Sequence, residues 1–144
     1  MLELIALLAT GLFAGAALYV TLVEHPARVA SGIALALAEF GPSYRRGAIM
    51  QATLAAVGCL AAVAAWARDG GGALLIAGLL LGSVIPFTLV VIRPTNDRLR
   101  DPGLDASSAE AARLLARWGR LHAVRSAASA VAFFLLGVHW ARLM

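Results

Sequence analysis

The sequence predicts an all-α integral membrane protein: a bundle of four membrane-spanning helices forming a single domain over residues 1–144. Three observations predict it. Hydrophobic residues make up 61% of the chain and charged residues only 14%, where soluble domains carry about 25%. Mean hydropathy is +0.84. Several apolar runs exceed about 18 residues, the length that crosses a bilayer, which excludes a soluble helical protein with an Ala-rich core. The spans fall at about 2–23, 47–67, 73–92 and 123–143.

The first span has no internal charge, and Gly11 and Gly15 form a Gly-x-x-x-Gly pair of the kind that admits a neighbouring helix. Its acidic Glu3 and long apolar run differ from the basic start and short core of a cleaved signal, so it reads as a permanent span. Glu24-His25-Pro26 follows, where proline removes a backbone donor and ends or bends the helix. Val29, Ile33, Leu37 and Phe40 recur at helical spacing and predict a short interfacial helix between spans one and two, broken by Gly41-Pro42-Ser43. Tyr44, Arg45 and Arg46 open the second span, where Tyr44, Ala48 and Gln51 share a face.

Arg68-Asp69-Gly70-Gly71-Gly72 is a tight turn. The third span carries a second glycine pair, Gly78 and Gly82, and a kinking Pro86, and it leaves the membrane at Arg93-Pro94-Thr95-Asn96-Asp97. Residues 100–107 read as loop. Ser107 or Ser108 then caps a helix that begins outside the membrane and runs through Trp118 into the fourth span. The lone Cys59 lies in an apolar segment, so neither an intrachain disulfide nor a cysteine metal motif exists.

All 12 basic residues are arginine, and the net charge is +4. Ten of them lie in or beside the connections 24–46 and 93–122, which leaves Arg68 and Arg142 opposite. That placement explains the charge by membrane topology and not by nucleic acid. The positive-inside rule puts both long connections in the cytoplasm and both termini outside, in a multi-pass protein of the cell membrane. Each half also reads as a span, a Pro-containing exit, a long connection and an aromatic-Arg entry, a faint internal echo.

On this topology His25, Tyr44, Gln51, Asn96, Asp97, Arg98, Trp118, His122 and Arg125 collect at one end of the spans. In a continuous helix positions 118, 122, 125 and 129 share a face, so an indole, an imidazole, a guanidinium and a hydroxyl descend one side. Each residue alone has a plain structural explanation. Asn96 can cap a turn, Arg98 can pair with Asp97 or lipid phosphate, and Trp118 can belong to the interfacial belt. Their convergence from all four spans points to a pocket between helices. Histidine titrates near neutrality and can act as a base, with a nearby arginine steadying the resulting anion. A metal held by His25 and His122 is the minor alternative, short of ligands because no His-x-x-x-His or Glu-x-x-His pair exists.

His25-Pro26, Tyr44 with Arg46 and Gln51, Pro94-Thr95-Asn96-Asp97 with Leu99, and Trp118 with His122 and Arg125 together resemble the anthrone oxygenase-like family. These are small four-span membrane proteins, long catalogued as a domain of unknown function. The resemblance covers nearly the whole chain. It implies an oxygenase without a cofactor, which in some polyketide pathways converts an anthrone to an anthraquinone with molecular oxygen. Carried onto this sequence, it makes His25, His122, Asn96 and Arg125 the catalytic candidates, with Tyr44, Gln51, Trp118 and Arg98 binding an apolar aromatic substrate. The implied partners are that small molecule and membrane lipids, with no nucleic acid and with a homo-oligomer left open. A non-catalytic membrane protein that binds a quinone, lipid or partner subunit is the alternative reading.

Overall fold

The computed structural model describes residues 1–143. Its elements are α1 (Leu2–Tyr19), α2 (His25–Ala30), α3 (Ile33–Asp69), α4 (Gly72–Phe87), α5 (Arg93–Leu99) and α6 (Ala109–Ala141). A π-turn at Val20–Glu24 joins α1 to α2, and another at Thr88–Ile92 joins α4 to α5. The result is four segments long and apolar enough to cross a membrane: Leu2–Ala30, Ile33–Asp69, Gly72–Leu99 and Ala109–Ala141. The protein is an all-helical, multi-pass membrane protein.

The four long helices form a square. α1 and α4 each pack against α3 and α6, while the diagonal pairs α1/α4 and α3/α6 barely touch. The chain runs up and down, so the N-terminus, the α3–α4 turn and the end of α6 share one end of the bundle. There His139 Nε2 lies 3.3 Å from Glu3 Oε1, beside Gly71. Gly70 and Gly71 make that turn at φ +75° and +96°, in the left-handed region open to glycine. At the opposite end, α2 packs on α3 and α5 on α6.

Both π-turns sit immediately before a proline, Pro26 or Pro94, near the start of the following short helix. A proline ring clashes with the carbonyl four residues earlier, and a widened turn relieves that clash without ending the helix. The two halves of the chain therefore repeat this device, which matches the echo in their sequences.

The structure differs from the sequence expectation at residues 33–46. No separate interfacial helix exists, because α3 continues without a break through Gly41-Pro42-Ser43. Pro42 removes one helical hydrogen bond, but Phe40 beside it is fully buried in an apolar cluster with Ala36, Leu115 and Trp118. Tertiary packing outweighs the local breaker. At about 1.5 Å per residue, the 37 residues of α3 extend roughly 55 Å, well beyond a hydrocarbon core of about 30 Å. The start of α6 also projects beyond its apolar stretch, as expected, with the Ser108 hydroxyl accepting from the Ala111 N–H at 3.1 Å as the cap.

Small residues set the helix spacing. A Cβ at Gly78 would lie 3.2 Å from Ala62 Cβ, and one at Gly82 2.7 Å from Cys59 Sγ, so this pair seats α4 on α3. Gly11 meets the Phe133 ring of α6, but nothing lies within 4 Å of a Cβ at Gly15. The first glycine pair is thus half used. Buried apolar residues form two clusters. One is built on Phe13, Leu74, Leu81 and several alanines near the terminal end, the other on Phe40, Ile92, Leu115 and Trp118 near the connection end.

Candidate active site

A cavity of about 490 Å³ opens at the seam between these two clusters. All four long helices contribute to its walls. Phe13, Ala16 and Val20 come from the α1 side, Tyr44, Ala48, Gln51 and Ala55 from α3, Val84, Thr88 and Ile92 from the α4 side, and Trp118, His122 and Arg125 from α6. Tyr19, Met50 and Leu89 border the cavity and are themselves exposed on the outside of the bundle. The cavity therefore reaches the lipid-facing surface.

The α6 face at 118, 122, 125 and 129 turns inward, as its spacing predicts, with Trp118, His122 and Ser129 buried. Arg125 spans the diagonal of the square, where backbones are too far apart to touch, and its Nη2 donates to Gln51 Oε1 at 2.8 Å. Its guanidinium also lies 5.5 Å from the centre of the Phe13 ring, and its Nε is sealed without a partner. Among the described residues no carboxylate pairs with Arg125. A positive charge so placed, held only by a neutral amide and a ring, has electrostatic capacity to spare.

Trp118 makes the wall above it. Its Nε1 donates to Asn96 Oδ1 at 2.8 Å, which leaves the Asn96 Nδ2 group buried and without a partner at the cavity. The indole is braced edge-on by Phe40 at 5.4 Å between ring centres, and Phe40 in turn stacks on Tyr44 at 5.9 Å. The His122 ring stacks on the other side of Trp118 at 4.7 Å and 27°. His122 Nδ1 lies 3.0 Å from Thr21 Oγ1, whereas Nε2 has no hydrogen-bond partner among the described residues and is not one of the sealed polar atoms. That nitrogen is the one available to a ligand.

Two sequence-predicted residues fall outside the cavity. His25 does not border it: its ring lies 5.0 Å from the Trp118 ring and packs on α6 at Gly119, where a Cβ would sit 2.7 Å from Nε2. The reason is helical phase. Glu24 and Arg28 are four apart and share the cavity-facing side, so His25, one position on, is turned about 100° away. Both imidazoles pack on the Trp118 ring, but only His122 borders the cavity. Arg98 is the second correction. It is half exposed and holds α5 to the start of α6 through Glu110, at 2.8 Å from Nε, while a second bond goes to Asp101 in the loop that follows α5. Its expected partner Asp97 bonds Arg100 instead, at 2.8 Å.

Sequence reasoning missed several residues of the site. Arg28 is buried at the rim, where it bonds Glu24, Glu39 and Ser43 and ties α2 to α3. The Glu24/Arg28 spacing of four was a readable signal. Thr21 and Ser126 surround His122 Nδ1, and Ser126, one turn beyond His122, was equally readable. Thr21 was not, because nothing in an apolar run marks its partner on another helix. Among the described residues no three His, Cys, Asp or Glu side chains gather at metal-binding distances.

The sequence profile of the anthrone oxygenase family matches residues 40–135, two thirds of the chain. The chain belongs to the anthrone oxygenase family. The matched stretch contains Tyr44, Gln51, Asn96, Trp118, His122 and Arg125, so most of the cavity's polar lining lies inside the family's shared region. The chain is also 39% identical over 98 residues to the anthrone oxygenase tpcL of Aspergillus fumigatus, a match that covers 62% of this chain and 61% of that protein. No solved structure matches.

Proposed function

We propose that the protein is a membrane-embedded oxygenase that acts with molecular oxygen on an anthrone-like, polycyclic phenolic substrate, without metal or organic cofactor. The observation that carries this reading is one apolar cavity bordered by an accessible imidazole nitrogen of His122 and by the Arg125 guanidinium, which has no carboxylate partner among the described residues. A base, an oxyanion partner and a dry apolar pocket are what proton abstraction next to a carbonyl requires. Family membership and the similarity to tpcL support the same chemistry.

In this mechanism His122 takes the proton from the C–H between the two aromatic rings. The electron pair left behind spreads onto the carbonyl oxygen, and Arg125 and the free Asn96 amide stabilise that oxyanion. The electron-rich carbon then forms a bond to oxygen, and the peroxide anion takes a proton back from His122. Loss of the second proton from that carbon, with cleavage of the O–O bond, releases water and leaves a second carbonyl. Anthrone plus oxygen thus becomes anthraquinone plus water. Tyr44 and Trp118 would flank the flat substrate, with Gln51 setting the position of Arg125, and substrate would enter from the lipid side past Tyr19, Met50 and Leu89. The arginine distribution supports both termini outside the cell membrane and the connection end in the cytoplasm.

The test is oxygen consumption by the purified protein with an anthrone. His122→Ala should abolish it in a protein that remains folded, whereas His25→Gln should retain most of it, because His25 does not border the cavity. Chelators should have no effect. Full turnover by His122→Ala overturns the assignment of His122 as the base, and a wild-type protein that consumes no oxygen above the uncatalysed rate would favour the binding-protein reading.

A further inference from the structure

We infer that Thr21 and Ser126 are positioning residues that hold the His122 proton on Nδ1, so that Nε2 faces the cavity as an unprotonated base. The inference rests on the reading of His122 as the base and adds how its tautomer is set.

Ser126 Oγ lies 3.0 Å from the Ala17 carbonyl, 3.2 Å from the His122 carbonyl, 2.7 Å from Thr21 Oγ1 and 3.5 Å from His122 Nδ1. A carbonyl only accepts, and giving the single Ser126 hydrogen to one lets the most hydrogen bonds form, because spending it on Thr21 Oγ1 leaves both carbonyl contacts without a hydrogen. Ala17 is the nearer, and its carbonyl, which accepts the Val20 N–H just before the Val20–Glu24 π-turn, has a second lone pair for an outside donor. With its hydrogen committed, Ser126 Oγ can only accept from Thr21 Oγ1, and the short 2.7 Å separation fits that bond. Thr21 has then spent its own hydrogen. At 3.0 Å from His122 Nδ1 it can only accept, so the imidazole hydrogen must be on Nδ1.

The chain therefore runs in one direction, from His122 Nδ1–H to Thr21, to Ser126, to the Ala17 carbonyl. Burial makes the order hard to reverse. Ser126 is 2% exposed and His122 is 3% exposed, so water does not readily replace a lost partner. The relay needs the π-turn as well, because Thr21 lies within it and carries its hydroxyl to α6 from there. A neutral imidazole in water favours the proton on Nε2, the form useless here as a base. Fixing the other nitrogen is the role a carboxylate plays for a catalytic histidine elsewhere.

The experiment is nitrogen NMR of the full protein in lipid nanodiscs, with the histidine rings labelled with 15N and the three signals assigned through His25→Gln and His139→Gln. His122 should show the proton on Nδ1 in the wild type and shift toward Nε2 protonation in Thr21→Val and Ser126→Ala. With an anthrone as substrate, kcat should fall about ten- to a hundredfold in those variants, the range seen when a partner that orients a functional histidine is removed. KM should change little, and Thr21→Ser should restore both the signal and kcat. A wild-type His122 protonated on Nε2 overturns the inference, as does a Thr21→Val protein with unchanged tautomer and turnover. The tautomer is read without substrate, so this outcome is separate from whether His122→Ala abolishes oxygen consumption.

Discussion

Arg125 shows how a single side chain defines the chemistry of the cavity. A guanidinium at membrane depth without a carboxylate is costly, and its one hydrogen-bond partner, Gln51, is neutral. The charge is therefore free to respond when negative charge develops on a bound molecule. Arg125→Ala should lower kcat about a hundredfold or more, as loss of one oxyanion partner does, while Arg125→Gln should recover little because the charge and not the hydrogen bond is what matters. Steady-state oxygen consumption with a fixed anthrone measures both. His122, Arg125 and Trp118 were legible because they recur at helical spacing in one short stretch. Thr21 was not, since a threonine among leucines and valines has no sequence mark of a partner 101 residues away. His25 was legible as a polar residue but not as one outside the cavity, because its phase relative to Glu24 and Arg28 decides which side it faces.

At the scale of elements, hydropathy predicts four membrane-spanning helices, and the structure has four helices long and apolar enough to cross a membrane, each reaching beyond its apolar run. Apolar runs report what lies in hydrocarbon, whereas the helices continue beyond it wherever their polar ends pack on one another. The clearest case is α3, where Gly41-Pro42-Ser43 reads as a break and the structure carries the helix through it. Phe40 against Trp118 of α6 and Ser43 bonded by Arg28 of α2 hold the chain on both sides of Pro42. A proline held inside a helix by its surroundings should be destabilising relative to alanine, by about 3 kcal/mol in an exposed helix interior and less where packing has already absorbed the distortion. Pro42→Ala should therefore raise the thermal midpoint of the detergent-solubilised protein. A lowered midpoint would mean that the ring itself is part of the packing. Pro26 and Pro94 differ, since each follows a widened turn, and at Pro26 that turn carries Thr21 to His122.

Across the whole molecule, the two ends of the bundle have different work. One end is closed by a glycine turn and by the Glu3–His139 contact, with Arg68 and Arg142 beside it. The other holds α2, α5, the projecting start of α6, most arginines and the ion pairs of Arg28, Arg98 and Arg100. The cavity lies toward that second end, bordered by Arg28 and Arg46. If arginine is retained on the cytoplasmic side, as it is in membrane proteins generally, substrate and product exchange there or in the adjoining leaflet. The orientation is testable with single cysteines on a Cys59→Ala background. Gly72 is a suitable site at one end, because nothing lies within 4 Å of a side chain added there, and the exposed Pro102 is its counterpart. A membrane-impermeant maleimide applied to intact cells should label Gly72→Cys, and should label Pro102→Cys only after lysis. The opposite pattern would invert the protein in its membrane and put the cavity's arginine-rich rim on the outside, leaving the ten-to-two arginine distribution without its topological cause.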